Sequence, residues 1–170
     1  MQMTATPYAY IAAGLQQIAY VVRDIQAGQR FFIEHIGIPR FYLMEDVRFA
    51  NQTYRGQECD SSLHIAMAYA GEIQIELVES LSGQNIYQEF LEGKGEGLHH
   101  LGFLIDDYER AVRDFTANGY PVIQSGRVRR DRGTRFAYFD TEAAIGSLME
   151  IIAPDEAGWQ LFDRIKRGDF

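Results

Sequence analysis

The chain has 170 residues, 46% of them hydrophobic, which suits one compact domain or two small modules sharing a core. A formal net charge of −8 excludes the basic face that nucleic acid or an anionic membrane surface requires, and no apolar run approaches a membrane span. Cys59 stands alone, which excludes an internal disulfide framework and a thiolate metal site; with no basic and apolar leader at its start, the sequence reads as a soluble cytoplasmic protein.

Residues 1–13, with Tyr8, Tyr10 and Ile11, form a lead-in without clear periodicity. Gln16 to Val22 reads as a strand, after which Asp24 caps a helix to about Ile36, with Phe32 and Ile36 on one stripe and Gly37 as its stop. Pro39 to Glu45 reads as a second strand, and Asp46 to Ser61 as a long polar excursion of the kind that often borders a site. Leu63 to Tyr69 alternates, with His64, Ala66 and Ala68 on one face; His64 is a candidate acid or base looking into a cavity. Glu72 to Val78 also alternates, with Ile73, Ile75 and Leu77 packed and Gln74, Glu76 and Val78 opposite. Gln84 to Leu91 reads as a short linking helix, closed by Gly93, Gly95 and Gly97.

The order then repeats. Gly14-Leu15-Gln16-Gln17-Ile18-Ala19-Tyr20-Val21-Val22-Arg23-Asp24 returns as Gly97-Leu98-His99-His100-Leu101-Gly102-Phe103-Leu104-Ile105-Asp106-Asp107, at an offset of 100 − 17 = 83 residues. Arg30 corresponds to Arg113 and Phe32 to Phe115, and the helix stops fall at Gly37 and Gly119. The second copy comprises a strand over Leu98 to Ile105, a helix from Tyr108 to Asn118, and strands near Val122, from Phe136 to Asp140 and from Ser147 to Ile152. Pro154 and Asp155 open a terminal helix that carries Trp159, Phe162 and Ile165 on one side and stops at Gly168; it is expected on the outside of a sheet or against a partner subunit.

Four polar residues stand out at matching places. Gln17 and His100 each have a small residue, Ala19 or Gly102, two positions on and therefore on the same strand face, which leaves room for a ligand or metal to approach. Glu76 and Glu150 each interrupt an apolar strand, where a carboxylate is costly unless paired, hydrogen-bonded, metal-bound or open to solvent. His99 has the opposite parity to His100 and is expected to point toward the helix side or an edge. Arg127, Arg129, Arg130, Arg132 and Arg135 form a basic run that reads as a solvated hairpin or as a handle for an anionic substrate.

With these residues in hand, the chain resembles the vicinal oxygen chelate superfamily, which includes glyoxalase I, methylmalonyl-CoA epimerase, extradiol dioxygenases and the bleomycin-resistance proteins. The likeness covers about Leu15 to Ala153. It implies an α+β fold in which two tandem βαβββ modules, 14–80 and 97–153 with a linker at 81–96, form one domain. Their strands make a cup-shaped mixed sheet with helices outside, followed by a C-terminal helix over 154–170. It also implies a divalent metal ion (Zn, Ni, Co, Mn or Mg) held by Gln17, Glu76, His100 and Glu150, an oxygen-rich donor set suited to six-coordination.

The implied activity is that of a lyase or isomerase, abstracting a proton α to a carbonyl through a metal-stabilised enediolate. Glu150 is the base by likeness to glyoxalase I, and Glu76 is the alternative. The ligand order resembles glyoxalase I, whereas the general layout is like methylmalonyl-CoA epimerase. Glyoxalase I has an arginine in its first strand and an asparagine after its first glutamate for glutathione; Ala19 to Val22 and Val78 to Leu81 supply neither. Gln17 likewise removes one of the two histidines an extradiol dioxygenase needs. The competing expectation is a non-catalytic binding protein like the bleomycin-resistance members, or a relative whose two glutamates simply face water. The partner expected is a small-molecule carbonyl substrate, with an anionic handle if the arginine run serves it; dimers are common in the superfamily, and the terminal helix offers a contact.

Overall fold

The computed structural model describes residues 9–128 and 133–170. A short turn of helix, α1 (Ala9–Ala12), precedes β1 (Leu15–Val21) and α2 (Ile25–Phe31), which runs on as a π-helical turn over Phe32–Ile36. There follow β2 (Tyr42–Val47), β3 (Ala50–Tyr54), β4 (Gln57–Glu58), β5 (Ser62–Ala70), β6 (Ile73–Ser82) and α3 (Ile86–Gly93). The second half contains β7 (Gly97–Leu104), α4 (Tyr108–Ala117), β8 (Val122–Arg127), β9 (Arg135–Phe139), α5 (Glu142–Ile145), β10 (Leu148–Ala153) and α6 (Glu156–Arg167).

The repeated phrase folds the same way twice. Asp24 accepts hydrogen bonds from the backbone N–H groups of Gln26 and Ala27, and Asp107, 83 residues later, accepts one from Arg110, so each strand hands over to a capped helix. Gly37 and Gly119 end those helical segments with φ of 85° and 87°, a left-handed conformation that glycine adopts without a side-chain clash.

The ten strands among the described residues form one sheet in the order β2-β5-β6-β1-β7-β10-β9-β8-β3-β4. The halves meet at the antiparallel pair β1 and β7, each flanked by a parallel neighbour, β6 or β10, that closes its own half. On one face, Ile25, Ala66, Ala68, Ile75 and Leu77 pack with α2 in the first half, while Phe103, Ala111, Phe115 and Phe139 pack with α4 in the second. On the other face, Val21, Leu63, Ile65, Met67, Val78, Phe136 and Ile152 form a third cluster with residues of α3 and α6.

Three placements differ from the sequence reading. The excursion over 46–61 contains strands: β3 leaves the first half and pairs with β8 at the far edge of the second, so the two ends of the sheet are joined by the short connection between Val47 and Ala50. The second strand starts at Tyr42 rather than Pro39. The terminal helix is not on the outside of the sheet: Phe162 and Ile165 are buried in the same cluster as Ile65 and Met67, whereas Trp159, expected on the packed side, is 46% exposed. The cause is a covering role, since apolar strand residues on this face need a partner layer and α6 supplies it. No helix among the described residues is long and apolar enough to cross a membrane.

Candidate active site

Strand register assembles the site before any side chain is considered. Ala19 of β1 lies between Glu76 of β6 and His100 of β7, and Gly102 of β7 lies between Gln17 of β1 and Glu150 of β10. Four polar residues thus surround two small ones on the seam between the halves. Gln17, Glu76 and Glu150 are 2%, 5% and 5% exposed, and His100 is fully buried.

The four side chains converge. The His100 Nε2 stands 3.2 Å from Glu150 Oε2, 3.3 Å from Glu76 Oε2 and 3.3 Å from Gln17 Oε1. The room beside Gly102 is not open to a ligand, as its size first suggests; the Gln17 side chain fills it, and a Cβ on Gly102 would lie 2.5 Å from Gln17 Oε1 and 2.8 Å from Gln17 Cβ. Burial alone would lower the His100 pKa, but the hydrogen bonds to Glu150 and Glu76 outweigh it and raise the value to about 9. Burial pushes Glu76 above the ordinary carboxylate range, against the opposing pull of His100.

A second ring of residues, which sequence spacing did not single out, fixes these orientations. Gln17 Nε2 donates to Gln74 Oε1 at 2.7 Å, and Gln74 Nε2 donates to the Tyr69 hydroxyl at 3.3 Å, so the Gln17 amide turns its oxygen toward His100. Tyr87 and Tyr138 share a 2.6 Å hydrogen bond and flank the His100 ring, at centroid distances of 6.4 and 5.0 Å. Burial, followed by the charges of Glu150 and Glu76, holds both phenols well above their usual pKa, so they remain neutral.

The pairing of β1 with β7 shifts register between Ala19 and Tyr20, opposite His99, and this bulge turns His99 against α3. Its Nδ1 lies 2.8 Å from the Nδ1 of His100. Burial, reinforced by the His100 charge, keeps His99 well below its ordinary pKa, so neutral His99 is the acceptor of that bond and His100 the donor. His99 thus lies on the helix side, as its parity implies, with a contact to His100 that parity did not foresee. It stays outside the cluster of donors but holds one of them.

His64 and the two described ends of the arginine run fall away from the site. His64 shares its face with Ala66 and Ala68, which pack against α2, and its Nδ1 accepts the Asp46 backbone N–H at 3.2 Å. Arg127 and Arg135 are opposed in register and so share a face; Arg135 stacks 3.7 Å from the Tyr108 ring of α4 and pairs with Glu109 at 2.8 Å. Arg129, Arg130 and Arg132 lie outside the described residues.

Above Glu76 and Glu150 opens a cavity of about 640 Å³, bordered by β2, β5, β9, β10 and α6. Among the described residues no group of three or more His, Cys, Asp or Glu side chains is placed to hold a metal ion. The donor types nevertheless fit a divalent cation: two carboxylates, one amide oxygen turned inward and one imidazole nitrogen face one another with no thiolate. A single Nε2 proton cannot satisfy three oxygens at 3.2–3.3 Å, whereas an ion with several coordination positions can.

Comparison with known proteins agrees with the fold. A curated relative, the uncharacterized protein YqjC of Bacillus subtilis (strain 168), is 27% identical over 129 residues, covering 72% of this chain and 91% of the relative. A hypothetical protein, BH1468, from Bacillus halodurans C-125 superposes with a TM-score of 0.59 at 25% identity, covering 84% of this chain and 94% of that one. A methylmalonyl-CoA epimerase variant of Streptomyces coelicolor, in complex with 2-nitronate-propionyl-CoA, superposes with a TM-score of 0.57 at 19% identity, covering 83% and 96%. The sequence profile of the Glyoxalase/Bleomycin resistance protein/Dioxygenase superfamily matches residues 16–138, and the chain belongs to that superfamily.

Proposed function

We propose that the chain is a metal-assisted lyase or isomerase that removes a proton α to the carbonyl of a small molecule. One observation carries this reading: the matching positions of a duplicated sequence deliver Gln17, Glu76, His100 and Glu150 to a single point, where three oxygens crowd one nitrogen. These four residues would hold a divalent cation, a common cofactor in this superfamily. When bound, it supplies Lewis-acid polarisation of a carbonyl and positive charge for the enediolate. Glu150 borders the cavity and accepts the α-proton; the C–H electron pair passes into the carbonyl group, and Glu150 returns the proton to a neighbouring atom on the same face, whereas protonation of the opposite face takes a second acid such as Glu76. Glu76, also at the cavity wall, is the alternative acceptor. One neighbour in fold binds a CoA ester, and a thioester carbonyl is one form of the group this chemistry requires.

Two measurements test the reading. Protein purified without chelators should carry bound metal, and in D₂O it should exchange the α-hydrogen of α-hydroxyketones or acyl thioesters, followed by NMR. Glu150→Gln should keep the fold and abolish exchange; full exchange in that variant removes Glu150 from the role. The apolar walls of the cavity favour one competing reading, sequestration without turnover. Less than about a tenth of an equivalent of metal, with no stimulation by added Mn, Co, Ni or Zn, would favour that alternative over metal-assisted catalysis.

A further inference from the structure

The two halves differ in what stands beside each glutamate. The strand residue opposite Glu76 is Met67, whereas the one opposite Glu150 is Tyr138, and both border the cavity. An apolar side chain suffices to wall the pocket in the first half. The second half has placed a hydroxyl there, and Tyr87 of α3 meets it with another.

Both phenols are set by the fold itself. Tyr138 is held in the sheet between β8 and β10, with its ring centroid 5.0 Å from that of His100. Tyr87 lies in the first turn of α3, where the Asn85 cap accepts its backbone N–H at 3.0 Å and the preceding Ile86 N–H donates to Gln124, the residue opposite Tyr138 on β8. The start of the helix is thus pinned to the strand beside Tyr138.

Counting protons leaves one donor over. Each phenol carries one O–H, and the 2.6 Å bond between the two hydroxyls uses only one of the two protons. Neither hydroxyl has a further hydrogen-bond partner among the described residues, although the charges of Glu150 and Glu76 act on both. Tyr87 and Tyr138 are 2% and 3% exposed, and a buried donor without an acceptor is unfavourable. Donation by one phenol also polarises the other, which makes the remaining O–H the stronger donor.

We propose that the pair of Tyr87 and Tyr138 is a hydrogen-bond donor to the substrate, its unspent O–H received by an oxygen of the carbonyl or of the enediolate formed from it. The kind of oxygen rests on the proposed carbonyl chemistry, and the donor rests on the proton count and on its place beside Glu150. A neutral donor already fixed in a buried site stabilises charge developing on that oxygen without having to reorganise.

The test follows acetophenone labelled with 13C at its carbonyl by NMR, in the full chain with chelator present so that no metal contributes. The bound carbonyl resonance should lie downfield of its position in cyclohexane. At least one of Tyr87→Phe and Tyr138→Phe should return it toward that position and weaken binding about 3–10-fold. If a variant melts early, the hydroxyl protons of the pair in the unmodified chain serve instead, and they should shift as ketone is added. The inference is overturned if the ketone does not bind, if its bound resonance stays at the cyclohexane position, or if both folded variants leave the resonance where the unmodified chain puts it. Static hydroxyl protons overturn it as well. Metal-dependent exchange that Glu150→Gln abolishes, in a chain whose bound carbonyl neither substitution moves, would sink the donor alone. A working donor in a chain that takes up no metal and exchanges no α-hydrogen would sink the catalytic reading alone.

Discussion

Strands β1 and β7 carry the same phrase, lie side by side and present one polar residue each, yet the two residues are held in different ways. Gln17 is fixed from its own half, by an amide ladder through Gln74 to Tyr69. His100 is fixed by its chain neighbour His99, which a bulge brings round to the same task. Duplication placed the two positions, and the residue behind each decided which atom faces the centre. The site therefore has one amide oxygen and one imidazole nitrogen in symmetric locations, and its chemistry is set as much by Gln74 and His99 as by the residues they hold.

Breaking the two sides separately should give unequal effects. His100→Ala leaves two buried carboxylates without a counter-charge and should cost about 3–5 kcal/mol of stability in chelator, measured by urea unfolding. Gln17→Ala strands only the Gln74 oxygen and should cost about 1–3 kcal/mol. The His100 side also has a pH signature. Its folded-state pKa of about 9 lies above the ordinary value near 6.5, so in chelated protein its contribution is complete below about pH 6.5 and is lost as pH rises through 9. Unfolding midpoints should fall across that window, and they should fall less in His100→Gln.

The small residues between the ligands sharpen the contrast further. Gly102→Ala drives a methyl group into Gln17 and should cost about 1–3 kcal/mol, while Ala19→Gly on the other strand should cost about 1 kcal/mol, both read from the same unfolding curves. Removing the support behind His100 tests the ring itself. His99→Leu leaves the His100 Nδ1–H without an acceptor and should weaken Co(II) binding, followed by absorbance, about 10–100-fold. His99→Asn supplies an oxygen acceptor and should recover most of that loss; equal weakening in both variants would assign His99 to packing only.

Much of this arrangement is legible in sequence because it depends on local period. Alternation along β6 put Glu76 opposite Ile75 and Leu77, and the 83-residue echo located His100 from Gln17. The failures share a different cause. Parity grouped His64 with Ala66 and Ala68 correctly, but which face of β5 looks into the cavity depends on where α2 packs. The bulge at His99 depends on the register of a partner strand 80 residues away, as Tyr20 opposes Leu98 and Ala19 opposes His100, and nothing within β7 announces it. Gln74 reads as an ordinary polar position until its neighbour Gln17 is placed beside it.

The β3–β4 hairpin gives the molecule a kinetic character that its halves would lack. Thr53 hydrogen-bonds to Ser125 across 72 residues of chain, so the first half cannot finish its own sheet until the second has been made and folded back. Contacts of such sequence separation carry a loop-closure cost before they return any stabilisation, which predicts slow, late completion of folding relative to a pair of independent modules. Two halves produced as separate polypeptides would then be unfinished alone and complete only in each other's presence, an outcome that co-elution of the fragments would reveal. The duplication that built this protein has thus been followed by a crossing of the chain that makes the two copies inseparable.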